Sequence, residues 1–96
     1  MNADSRKPDD AHTADLAAPK VGETVRKALD HYFKALGDQS PHALYDMVIL
    51  AAEKPLLEVV MTRYHGNISH AAKALGLTRN TLRKKLHFHG LTINTP

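Results

Sequence analysis

The stretch NISHAAKALGLTRNTLRKKLHFHG, residues 67–90, decides how this chain is read. Two short runs of helix formers, 68–75 and 79–89, are divided by Gly76 and followed by Gly90. Asn67 precedes the first run and Thr78 the second, and side-chain oxygens of these types accept a free backbone N–H at a helix start. Glycine suits the left-handed residue that closes a helix. Two helices joined by a glycine-containing turn of roughly three to four residues describe a helix-turn-helix, whose second helix enters the major groove of DNA. Ala71 and Ala72 let the two helices cross closely, and Leu75, Leu77, Leu82 and Leu86 supply a small core. At about 100° per residue, the face opposite Leu82 carries Asn80, Lys84 and His87, with Arg79 and Arg83 on one flank and Thr81 on the other. Such side chains bond base edges and phosphates.

Charge points the same way. The chain is 96 residues long with a formal net charge of +3, and that charge is unevenly spread. Arg63, Lys73, Arg79, Arg83, Lys84 and Lys85 lie beyond residue 62, where there is no Asp or Glu; the last acid is Glu58. A helix that is merely solvated usually mixes signs for i, i+4 pairing, and this one does not. A polyanion is the expected partner, with double-stranded DNA ahead of RNA or a membrane surface.

Working toward the N-terminus, Ser40-Pro41 reads as a helix start, Ser as the cap and Pro in the first turn. A long helix is expected over 41–64, kinked near Ala51 because Pro55 removes a ladder bond and crowds that carbonyl. Its apolar residues occupy most of the circumference, leaving a narrow strip for Asp46 and Glu53, so it must be covered nearly all round. One small chain lacks the bulk for that, which predicts a homodimer with Leu44, Val48, Leu56, Val59 and Val60 in its interface. Further upstream, Val25, Ala28, Leu29, Tyr32, Phe33 and Leu36 mark one helical stripe over about 25–36, with Thr24 as its cap and Gly37 at its end.

Residues 1–19 show no apolar periodicity and read as a mobile tail; 20–64 form the dimerisation region, 65–91 the helix-turn-helix and 92–96 a loose C-terminus. The fold class is all-α. No nucleophile elbow, phosphate loop or His-Glu-x-x-His pattern occurs, so no enzyme, cofactor or metal is expected. The histidines are scattered, which fits a DNA-facing surface better than a metal site. Without cysteine the chain has no disulfide. Its longest apolar run, 47–52, is far below the roughly 20 residues of a membrane span, and Met1–Asp10 lacks the apolar core of a secretory signal. A cytoplasmic location follows.

The stretch PLLEVVMTRYHGN (55–67), followed by AAKALGLTRNTLRKKL (71–86), resembles the Fis family of nucleoid-associated, DNA-bending proteins. The likeness runs from about Val25 to Leu91 and includes Ala28-Leu29, Tyr32-Phe33 and Leu44-Tyr45. It implies a homodimer with a four-helix core built from the helices at 25–36 and 41–64, carrying two helix-turn-helix units that bend DNA and regulate transcription. It places the base-reading arginine on Arg79, a second arginine on Arg83, and base- or phosphate-contacting lysines on Lys84 and Lys85. Asn67 and Thr81 match phosphate contacts, and Ser69 keeps the hydroxyl of a family threonine. Thr78 stands where the family has asparagine, and His70 where it has arginine. It also implies a nucleoid location, with RNA polymerase or other transcription proteins as further partners. The arm that activates a DNA invertase in enteric members has no counterpart pattern in residues 1–19. Two other readings stay open: the similar helix-turn-helix of NtrC-type activators, and a basic helical adaptor for an acidic protein.

Overall fold

The computed structural model describes residues 18–91. Among them the chain is all-α, with four helices: α1 (Ala18–Leu36), α2 (Leu44–Arg63), α3 (Ile68–Leu75) and α4 (Arg79–Phe88). It divides into two compact units, one ending at Pro41 and one beginning at His42. The expectations for residues 1–17 and 92–96 lie outside the described residues.

The first unit is a single amphipathic helix. α1 starts seven residues before the predicted Val25, with Pro19 in its first turn, where a missing N–H costs no ladder bond. Thr24 is therefore inside the helix, its hydroxyl donating to the Lys20 carbonyl at 3.0 Å instead of capping. The apolar stripe had one more member than the periodicity count allowed, since Val21 lies one turn ahead of Val25. Tyr32 and Phe33 meet edge to face at 5.4 Å. At the end, the Gly37 N–H donates to the Phe33 carbonyl at 3.1 Å.

The second unit is built by α2, α3 and α4. Ser40-Pro41 does not start α2: the helix opens at Leu44, after Ala43 in the left-handed region at φ 53, with no side-chain cap. The Ala43 carbonyl takes the first helical bond, from Met47 N–H at 3.1 Å. Ser40 and Pro41 sit in the connection instead, where the fixed φ of proline suits a turn as well as a first helical turn. α2 then continues across Pro55 to Arg63.

The core of this unit is Leu57, Ile68, Ala71, Ala72, Leu82 and Leu86, with Val60, Met61, Tyr64, Leu75 and Leu91 packed against it. Leu57, Val60, Met61 and Tyr64 recur at i, i+3, i+4 and i+7, so the last two turns of α2 form the third wall of the helix-turn-helix. Val60, expected in a dimer interface, is thus packed within its own chain. Leu77, expected in the core, is only half-buried. Ala71 is fully buried and Ala72 nearly so, as a close crossing of α3 requires.

Candidate nucleic-acid interface

Local chemistry sets both ends of the turn between α3 and α4. Asn67 caps α3, its Oδ1 accepting the His70 N–H at 3.0 Å. Gly76 closes it at φ 76, with the Leu77 N–H donating to the Ala72 carbonyl at 2.9 Å and the Gly76 N–H to the Lys73 carbonyl at 3.2 Å. That paired closure needs a left-handed residue, which glycine adopts without steric cost. Thr78 then caps α4, its Oγ1 accepting the Thr81 N–H at 3.1 Å. The same hydroxyl donates to Thr81 Oγ1 at 3.0 Å, which leaves the Thr81 proton free for another acceptor.

The turn between α2 and α3 uses the same closure with less suitable residues. Gly66 N–H donates to the Met61 carbonyl at 2.9 Å and His65 N–H to the Thr62 carbonyl at 3.2 Å. His65 holds the left-handed position, at φ 53, that is usually glycine's.

On α4, Leu82 and Leu86 face the core, while Arg79, Asn80, Arg83, Lys84, His87 and Phe88 are exposed and Thr81 is half-buried. Asn67, Ser69, His70 and Lys73 are exposed on or beside α3. Of the predicted base-edge and phosphate donors, Asn67 and Ser69 are thus exposed at the start of α3, and Arg79, Asn80, Arg83 and Lys84 along α4.

Two residues depart from that surface. Lys85, predicted as a DNA contact, forms an ion pair with Glu53 of α2, Nζ to Oε2 at 2.9 Å. His89, grouped by sequence with the DNA-facing histidines, points the same way: its ring is 6 % exposed, with Nε2 2.8 Å from Glu53 Oε1. A carboxylate only accepts, so the ring carries its proton on Nε2. His89 donates, Lys85 donates, and together they hold the Glu53 carboxyl below the ordinary glutamate range. In the sequence Glu53 stands out only as part of the polar strip of its helix. The signal for its partners was present, since Lys85 and His89 both fall on the Leu82 side of the helical wheel at about 100° per residue.

The expected dimer residues on α2 are split. Leu44 and Val48 are half-buried, and Leu56 and Val59 are exposed, by 52 % and 67 %. Tyr45, Met47 and Ile49 are exposed as well. Among the described residues no helix is long and apolar enough to cross a membrane, and no group of three or more His, Asp or Glu could hold a metal ion.

A short capped helix, a glycine turn and a second capped helix with a basic outer face, seated on a third helix, define a helix-turn-helix unit. The family described as "Bacterial regulatory protein, Fis family" matches residues 50–87. A Fis-like DNA-binding protein of Neisseria meningitidis is 51 % identical over 73 residues, 76 % of this chain and 92 % of the relative. One from Ralstonia nicotianae is 52 % identical over 71 residues, 74 % and 92 % of the two chains. DNA-binding protein Fis of Proteus mirabilis is 42 % identical over 69 residues, covering 72 % and 70 %. The chain belongs to the Fis family.

Proposed function

We propose that this protein is a non-enzymatic, nucleoid-associated regulator of transcription that binds double-stranded DNA as a homodimer and bends it. The observation that carries this is the outer face of α4, where Arg79, Asn80, Arg83, Lys84 and His87 are all exposed and no acid intervenes. Arg79 sits in the first turn, the part of a recognition helix that meets base edges. Its bidentate guanidinium suits guanine, and Asn80 suits adenine. Arg83 and Lys84 reach bases or phosphates farther along. Asn67, Ser69 and Thr81 position the unit on phosphates, and Thr78 acts by capping the helix that carries the readers. The names of the relatives, DNA-binding proteins all, support the same role.

Dimerisation is supported by α2. Its exposed Leu56, Val59, Tyr45, Met47 and Ile49 form more apolar surface than a lone small chain usually leaves in water, and Leu44 and Val48 continue it. Bending follows from the family resemblance. Two recognition helices on one compact dimer fit straight DNA only at a spacing of about 34 Å, and a shorter spacing requires the duplex to curve. The deformation costs on the order of 1–6 kcal/mol and depends on central base pairs that the protein does not touch.

A circular-permutation gel shift tests both parts at once. Retarded bands whose mobility varies with the position of the site are expected. No retardation contradicts DNA binding, and mobility independent of site position contradicts bending.

A further inference from the structure

The face that a helix turns outward depends on its rotation about its own axis, and a single carboxylate on α2 is bonded twice by the C-terminal end of α4. Glu53 lies mid-way along α2, and its two oxygens take different partners from α4 and its C-cap: Oε2 accepts from Lys85 Nζ at 2.9 Å and Oε1 from His89 Nε2 at 2.8 Å. We propose that Glu53 is the positioning residue of the recognition helix and a determinant of its specificity, holding α4 in its reading orientation and withholding Lys85 from phosphate. The inference rests on the DNA-binding role proposed above.

Lys85 and His89 are one helical turn apart, so the two bonds bracket the C-terminal part of α4 along its axis. Leu82 and Leu86, 0 % and 1 % exposed, seat the same face on the core. Apolar burial is non-directional, however, and would tolerate a helix rolled by some degrees. Two charge-assisted bonds to one planar carboxylate are directional. The Glu53 and His89 side chains are 17 % and 6 % exposed, so salt screens this contact less than a surface pair. Arg79 and Asn80 stand more than a turn upstream of Lys85 on the same rigid helix. A binding constellation tolerates only about 10–20° of misorientation, and a roll of α4 is transmitted to both.

The second effect is electrostatic. A lysine free to reach phosphate raises affinity for every sequence alike and carries no information about bases. By pairing with Lys85, Glu53 removes one such cation from each protomer while leaving Arg79, Arg83 and Lys84 unpaired among the described ion pairs. Orientation of the readers and withdrawal of a non-reader both raise the ratio of specific to non-specific binding.

The test uses the full chain and two labelled duplexes: one enriched by the wild type from a random pool, and one of the same length and composition with scrambled sequence. Affinities are measured across a salt series for the wild type, Glu53→Gln, Lys85→Gln and Lys84→Gln. Glu53→Gln is expected to lower the specific-to-scrambled ratio by about tenfold or more, the scale of one misaligned bidentate base contact, and to steepen the salt dependence on the scrambled duplex. Lys85→Gln should leave the wild-type salt slope unchanged, whereas Lys84→Gln flattens it by about 0.9 for each phosphate that is no longer neutralised. His89→Ala should lower the ratio and His89→Gln, which keeps a neutral donor, should largely preserve it, so the proposal is decided even if Glu53→Gln does not fold. A folded Glu53→Gln or His89→Ala with an unchanged ratio overturns the positioning role, as does a Lys85→Gln slope as flat as that of Lys84→Gln. A wild type that retains neither duplex overturns the DNA-binding role, a result distinct from either.

Discussion

Thr78 Oγ1 accepts the Thr81 N–H at 3.1 Å and donates to Thr81 Oγ1 at 3.0 Å, so one hydroxyl both starts the recognition helix and orients the neighbouring hydroxyl. Thr78→Ala should therefore destabilise the fold by about 1 kcal/mol, the usual cost of an N-cap. Thr78→Ser keeps the oxygen and should recover nearly all of it. Chemical denaturation of the three proteins checks this. Equal stability of the Ala and Ser variants would show that the cap bond contributes nothing.

Val59 is 67 % exposed on its own chain. If the chain lived alone, Val59→Lys would be a surface change worth within about 0.5 kcal/mol. In the proposed homodimer the new ammonium is taken out of water in the interface, and assembly should fail at micromolar concentration. Sedimentation equilibrium separates the two. A wild-type protein that is a folded monomer at that concentration removes the homodimer from the account.

The Glu53 carboxyl is held below the ordinary glutamate value of 4.5, chiefly by the His89 hydrogen bond and next by that of Lys85. A carboxyl whose folded pKa is depressed contributes stability that is fully present above its unfolded value and lost as pH falls through the folded one. The stability gap between wild type and Glu53→Gln should shrink on acidification below 4.5. Denaturation midpoints taken across that range check it. A gap that persists undiminished at the lowest pH would mean the ionised carboxylate is not what α4 rests on.

What the sequence revealed depended on how local the cause was. Asn67, Gly76 and Thr78 act on backbone groups within a turn of themselves, and the ends of α3 and the start of α4 fall where their chemistry puts them. Ser40-Pro41 carries the same kind of signal, yet Ala43 turned the chain with a left-handed φ that nothing in an alanine announces. α1 begins early because proline is as acceptable in a first turn as in a loop, so Pro19 could not mark the boundary. The apolar circumference of α2 was legible, but its division was not: Leu57, Val60, Met61 and Tyr64 serve the helix-turn-helix, which only the packing of α3 and α4 reveals. The partner of Lys85 was not legible: no acid follows Glu58, and the carboxylate that pairs with this lysine lies 32 residues upstream.

In the function proposed here, the outer face of α4 reads DNA through Arg79. The most direct measurement is the equilibrium affinity of wild type and Arg79→Ala for a wild-type-selected duplex and for a scrambled one, at fixed salt. Removing a bidentate base contact should cost about 1–3 kcal/mol on the selected duplex, and much less on the scrambled one, where the guanidinium reads nothing. Arg79→Ala binding the selected duplex as tightly as wild type would show that Arg79 reads no base.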